Sequence, residues 1–232
     1  MTIVSTSHRF LYIHIPKTAG STVKQHLSAH TRYCDVEVGG SAQAELIAPY
    51  YAERFGLRKH SPAMEIRQAI GEQDFEALFK FTFVRNPFTR AVSTFNFLKN
   101  TWRAWTGSEI MDGFDSLEAL VTSDFFKTRG PDRIFEPQMR WLVGPDGRRC
   151  VNFIGRLETL EPDMEALCRR LKLPPPAGLS WLNASRITLG GEDVTAITAK
   201  VADAIRARYP RDFASLGYSD DPERRFEGRV GK

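Results

Sequence analysis

Two short stretches combine cations, hydroxyls and small residues at spacings suited to holding oxyanions. The first is Ile13-His14-Ile15-Pro16-Lys17-Thr18-Ala19-Gly20-Ser21-Thr22. An apolar run stops at Pro16, a turn of small residues follows, and helix-compatible residues begin at Ser21. A helix start so placed presents unpaired backbone N–H groups, and the helix dipole adds positive potential. Ala19 and Gly20 let an oxyanion approach the backbone, and Lys17 supplies a mobile cation. The pattern is not Walker A, G-x-x-x-x-G-K-[S/T], because Lys17 precedes Gly20 instead of following it. Taken alone, the stretch is equally compatible with an ordinary strand-to-helix turn carrying a surface lysine.

The second stretch is Phe83-Val84-Arg85-Asn86-Pro87-Phe88-Thr89-Arg90-Ala91-Val92-Ser93. Arg85 stands at the carboxyl end of an apolar run, the place where open α/β sheets bind ligands. Ser93 falls one to two turns into the next helix. A guanidinium and a hydroxyl so spaced can hold one phosphate, the arginine by a forked contact. Arg90 is expected to pair with a neighbouring carboxylate instead. His14, inside a strand, is expected to be buried and hydrogen-bonded.

The elements that must position these residues alternate. Phe10–Ile15 (FLYIHI), Phe79–Val84 (FKFTFV) and Val151–Ile154 (VNFI) read as buried strands. Helices are predicted over Ser21–Ala29, Ala42–Phe55, Pro62–Ile70, Asp74–Leu78, Phe88–Lys99, Leu117–Phe126, Pro137–Leu142, Glu161–Leu171 and Asp193–Tyr209, with Pro210 stopping or bending the last. Gly144-Pro145-Asp146-Gly147 is a turn between two short extended segments. Strands alternating with helices give an α/β class with a central parallel sheet flanked by helices.

The 232 residues suit one domain with a two-sided core. At 42% hydrophobic and 26% charged the composition is that of a globular chain, with a polar tail from Asp220 to Lys232 expected to be flexible. A net charge of +4 suits a polyanionic ligand but is too weak to demand nucleic acid. Three widely spaced cysteines, with no companion histidines, argue against a disulfide framework and a zinc site. Neither a signal peptide nor a membrane-spanning run is evident, so the expected compartment is the cytoplasm.

IPKTAGST (15–22) resembles the 5′-phosphosulfate loop of the sulfotransferases that use 3′-phosphoadenosine-5′-phosphosulfate (PAPS). VRNPFTRAVSTF (84–95) resembles their 3′-phosphate motif, Arg-x-Pro-x-x-Arg-x-x-Ser-x-Phe. FIGRLETLEPDMEALCRRLKLP, WLNASR and YPRDFASLGY are similar to the C-terminal half of the bacterial and Golgi carbohydrate branch, which includes heparan 2-O-sulfotransferase. The likeness runs from Phe10 to Tyr218. It implies a P-loop-like sulfotransferase fold, with PAPS as donor, no metal, and a hydroxyl, by this resemblance on a carbohydrate, as acceptor. By the same resemblance Lys17, Thr18, Ala19, Gly20, Ser21 and Thr22 wrap the 5′-phosphosulfate, Arg85 and Ser93 hold the 3′-phosphate, and Ser185 lies in a lid segment. Lys17 neutralises the leaving phosphate. His60, in a segment similar to one that carries a histidine in the 2-O branch, is the candidate general base, with Glu136 or Glu65 as alternatives. Phe135-Glu136-Pro137-Gln138 resembles a stretch near the acceptor cleft, which makes Glu136 and Gln138 candidate substrate contacts. Trp102, Trp105 and Trp141 could stack on sugars.

Two other readings stay open on sequence alone. A kinase-like phosphoryl-transfer enzyme shares the strand–loop–helix start but needs magnesium ligands, and the strand ends here are not acidic. A non-catalytic module for anionic glycan or nucleotide needs Arg85 and Ser93 but neither Lys17 nor His60.

Overall fold

The structure, a computed structural model, describes residues 1–176 and 197–224. In chain order the strands are β1 (Thr2–Ser5), β2 (Phe10–Tyr12), β3 (Val36–Val38), β4 (Phe79–Val84) and β5 (Phe153–Arg156). The helices are α1 (Gly20–Ser28), α2 (Ala42–Phe55), α3 (Ala63–Ile70), α4 (Glu72–Ala77), α5 (Pro87–Asn100), α6 (Leu117–Val121), α7 (Asp124–Lys127), α8 (Leu160–Leu171), α9 (Ala199–Arg208) and α10 (Pro210–Leu216). They fall into two compact units, residues 1–84 with the described part of 140–183, and residues 85–139 with the described part of 184–232.

The first unit is built on one sheet of order β3-β1-β2-β4-β5. The apolar runs FLYIHI and FKFTFV supply β2 and β4, which pair in parallel through Phe10↔Phe79 and Tyr12↔Phe81. β5 continues the parallel arrangement, with Phe81↔Phe153 and Val84↔Arg156 in register. Side chains alternate between faces, and Phe10, Tyr12, Phe81 and Phe83 on one face are as buried as Leu11, Ile13 and Val84 on the other. The first of these faces packs on Val23 and Leu27 of α1 and on Leu160, Met164 and Leu167 of α8. Each such side chain taken from water stabilises the unit by about 1.5–3 kcal/mol. β5 approaches so closely that a Cβ on Gly155 would lie 2.3 Å from the Phe83 ring, so only glycine fits there.

The sheet is not parallel throughout. β1 runs antiparallel to both β2 and β3 and extends the parallel core on one side. Neither strand is predicted from the sequence, because segments of 4 and 3 residues are too short to show a period. Arg9, at a φ of 56°, turns the chain from β1 into β2. The turn over residues 144–147 is present, closed by a bridge between Val143 and Arg149.

The second unit is helical. Asn86 accepts from the Phe88 N–H at 2.9 Å and Pro87 occupies the first helical position, so α5 starts where its sequence dictates. The helix predicted over Leu117–Phe126 is two helices. Ser123 accepts from the Phe126 N–H and begins α7, so a capping side chain overrides the helical period. The helix predicted over Pro137–Leu142 is a 3₁₀ turn over Gln138–Trp141. α9 begins only at Ala199, capped by Thr198, and α10 starts at Pro210, so the proline separates two helices. Residues 193–196 of that predicted helix, and most of the tail after 220, lie outside the described residues. No helix among the described residues is long and apolar enough to cross a membrane.

Candidate functional site

In the first unit the chain leaves β2 and forms the 16–19 turn. Ile13 N–H donates to the Phe81 carbonyl at 2.9 Å, and the Thr82 hydroxyl donates to the Ile13 carbonyl at 2.7 Å, which ties the strand end to β4. Thr18, fully buried, turns its hydroxyl back onto the Ile15 carbonyl at 2.9 Å. Lys17 and Ala19 are both left-handed, at φ 67° and 69°. Non-glycine residues in this region cost on the order of 1 kcal/mol or more each, and they persist where surrounding contacts fix them. Left-handed residues in a turn can aim backbone N–H groups to one side, the geometry of an anion-binding nest. Ala19 is also the N-cap of α1 and brings no capping side chain, and the first turn of α1 carries no acidic residue. The positive end of α1 and the nest therefore share one location. Lys17 is half-buried beside it, Ser21 is exposed and Thr22 is buried.

The floor of this loop is His14. A Cβ built on Gly20 would stand 1.6 Å from His14 Nε2, so the imidazole fills the space that any other residue at position 20 would occupy. His14 is buried, as the sequence suggests, and its Nδ1 contacts the Met1 amino group. Its pKa lies well below the ordinary histidine value, first because burial disfavours the charged ring and then because the N-terminal amine, His60, Lys59 and Lys17 add positive charge nearby. His14 is therefore neutral near pH 7 and supplies shape rather than charge.

His60 lies against His14, with ring centroids 4.4 Å apart. Its Nδ1 is 3.0 Å from the His14 carbonyl oxygen. A carbonyl only accepts, so Nδ1 carries the proton and the lone pair of neutral His60 resides on Nε2. The His60 carbonyl in turn accepts from Trp141 Nε1 at 3.1 Å. Trp141 is fully buried, which removes it from the candidate sugar-stacking residues and makes it the prop behind His60. Glu65, the alternative base, stands on α3 at 3.5 Å from the Ser61 hydroxyl. The first unit thus gathers the 17–22 loop, His14 and His60.

The second unit holds Arg85, Ser93, Glu136 and Gln138. Arg85 is buried, and its Nε donates to the Thr89 hydroxyl at 3.0 Å. Thr89 and Ser93 are one turn apart on α5, so the guanidinium lies along the helix face that also carries Ser93. The Arg90 guanidinium donates to the Ile134 and Glu136 carbonyls, each at 3.0 Å, faces the Tyr209 ring, and feels the charge of the Asp212 and Glu136 carboxylates. Glu136 is nearly buried and accepts from Arg129 Nε at 2.6 Å. Gln138 is fully buried and both ends of its amide engage the Arg85 backbone, which takes its side chain away from any substrate. Trp102 and Trp105 are half-buried among Phe97 and Phe125. Ser185 lies outside the described residues. Sequence reasoning missed Asp212, whose carboxylate accepts from the Gln138 and Met139 N–H groups at 2.7 and 2.9 Å. A contact across 74 residues leaves no local signal.

Comparison with known proteins bears directly on these loops. The profile of the sulfotransferase family matches residues 1–219. Carbohydrate sulfotransferase 14 of Danio rerio is 26% identical over 243 residues, a span covering 93% of this chain and 61% of that relative. The chain therefore spans less than two thirds of the relative's length. No solved structure matches significantly. With a family match that takes in both motif loops and the five strands among the described residues, this chain belongs to the sulfotransferase family.

Proposed function

We propose that this chain transfers the sulfo group of PAPS to a hydroxyl of a carbohydrate. The observation that carries the reading is the 17–22 loop, where two left-handed residues and an uncapped helix start converge on one place suited to an anion. In this reading the 5′-phosphosulfate rests on the backbone of Thr18 to Thr22 and on Lys17. Arg85, with Thr89 and Ser93 along the same helix face, takes the 3′-phosphate through charge-assisted bonds.

The acceptor oxygen attacks sulfur while the bond from sulfur to the bridging phosphate oxygen breaks. His60 Nε2 receives the acceptor's proton, and the His14 carbonyl, by holding the Nδ1 proton, places the lone pair on Nε2. Lys17 offsets the charge growing on the departing phosphate. A carbohydrate acceptor is supported by the name of the Danio rerio relative and by the net charge of +4. A kinase-like reading has no support from the family match.

The test is transfer of radiolabelled sulfate from PAPS to a panel of glycans, lipids and small alcohols. A labelled glycan, formed without added magnesium, is the expected product. Failure of the protein either to bind adenosine 3′,5′-bisphosphate or to label any acceptor would refute the proposal.

A further inference from the structure

Gln138 does something unusual with a fully buried side chain. Its Oε1 accepts the Arg85 N–H at 2.9 Å, and its Nε2 donates to the Arg85 carbonyl at 2.7 Å. The amide pairs with one residue's backbone as a neighbouring strand would, and satisfies both of its buried peptide groups. The two bonds also fix the amide's orientation, since an N–H needs the oxygen and a carbonyl needs the nitrogen.

Gln138 is itself held from behind. Asp212, with no exposed surface, grips the Gln138 and Met139 N–H groups with its two carboxylate oxygens. Asp212 sits in the first turn of α10, and the neighbouring Tyr209 hydroxyl donates to the Phe135 carbonyl at 3.0 Å. The segment 135–139 is therefore fastened to the α9–α10 corner at three points. A carboxylate held in a dry interior is costly unless its oxygens are well bonded. An apolar contact could anchor the turn as well. What a carboxylate adds is a fixed direction for two N–H groups, and hence for the side chain that reaches Arg85.

We propose that Asp212 and Gln138 are positioning residues that fix the Arg85 backbone so that its guanidinium lies along Thr89 and Ser93, ready for the 3′-phosphate. Neither touches the nucleotide. The inference rests on the proposed use of Arg85 for that phosphate, and it makes recognition of the 3′-phosphate depend on a residue 127 positions further along the chain, as the numbers of Arg85 and Asp212 show.

The experiment compares affinity for adenosine 3′,5′-bisphosphate with affinity for adenosine 5′-monophosphate, which lacks only the 3′-phosphate. Wild-type protein is expected to prefer the bisphosphate. Gln138→Leu removes both bonds at similar volume and should lower that preference on the order of tenfold, the usual scale for a displaced charge-assisted bond, while affinity for the monophosphate stays the same. Asp212→Asn keeps one accepting oxygen, a neutral amide carbonyl, and loses the other, so it should lower it less; it also serves if Gln138→Leu fails to fold. In an Arg85→Ala background neither substitution should reduce the preference further. Parallel loss of both nucleotides would mark the pair as purely structural and overturn the inference, as would an undiminished preference in folded variants. If Arg85→Ala abolishes the preference and Gln138→Leu does not, only this inference fails. If wild-type protein shows no preference at all, the assignment of Arg85 fails first and takes this inference with it.

Discussion

Gly20→Ala is the sharpest test of how the loop is built. The added methyl would meet His14 at 1.6, 2.3 and 2.4 Å from Nε2, Cδ2 and Cε1, where ordinary contact begins near 3.4 Å. Relief therefore requires a shift of roughly 2 Å by the ring or by the loop. The ring has little room: it is buried, stacks on Tyr12 with centroids 5.8 Å apart, lies 4.4 Å from His60, and contacts the Met1 amine through Nδ1. Gly20 opens α1, and alanine there would by itself stabilise a helix by up to about 1 kcal/mol. Overpacking costs about 1–3 kcal/mol, so the net expectation is a loss near 1–2 kcal/mol, equivalent to several degrees in Tm for a chain of this size. Urea denaturation measures the loss, and calorimetry with adenosine 3′,5′-bisphosphate reports whether the displaced loop still binds. His14→Ala removes the clashing atoms, so the double variant should recover at least about 1 kcal/mol relative to the sum of the singles. A Gly20→Ala variant of wild-type stability, or additive single effects, would refute the packing of His14 under the loop.

Arg85→Ala should weaken binding of adenosine 3′,5′-bisphosphate by about 1.5–3 kcal/mol, and unchanged affinity by calorimetry would remove Arg85 from the site. Lys17→Ala should lower turnover by about 10²–10³ with a much smaller effect on product binding, since its charge matters most as the leaving phosphate forms; equal losses in the two would reduce it to a ground-state contact. His60→Gln retains polarity and lacks a base, so turnover should fall about 10²–10⁴-fold while nucleotide affinity holds, and near-normal turnover would move the role to Glu136 or Glu65. His14, with its pKa depressed in the fold, contributes stability that is present above the ordinary value of about 6.5 and lost as pH falls below it. The stability gap between wild type and His14→Gln should accordingly shift by up to about 1.4 kcal/mol per pH unit on acidification from pH 7 to 5, and a constant gap would show that His14 takes up its proton as readily in the fold as in the unfolded chain.

What the sequence reveals about this fold depends on how local the cause is. FLYIHI and FKFTFV are legible as strands because each is rich in aromatic and branched residues and carries one wholly apolar face (Leu11, Ile13 and Ile15; Phe79, Phe81 and Phe83), and α5 is legible because Asn86 and Pro87 write its start. β3 escapes because what makes it a strand is its pairing with β1, across a separation that no window spans, and β1 escapes because four residues are too few to show a period. The same division runs through the candidate site. Lys17, Gly20 and Arg85 stand out as residue types in a turn or at a strand end, whereas what Gln138 does follows from Arg85 and Asp212, which are distant in sequence.

His14 and Gly20 lie between these extremes and explain most about the site. They are six positions apart and lie on either side of a turn, so no single periodic element links them, and each is unremarkable alone. Their contact means that the loop's shape is set from beneath by a ring that must be neutral, because a charged ring would sit uncompensated against the N-terminal amine, Lys59 and Lys17. That neutrality leaves the cationic role in the proposed reaction to Lys17 rather than to His14. The backbone carbonyl of the same His14 fixes the proton on His60 Nδ1. One buried residue thus shapes the anion loop with its side chain and sets the tautomer of the candidate base with its main chain, so a change that shifts the His14 backbone should disturb binding and proton transfer together.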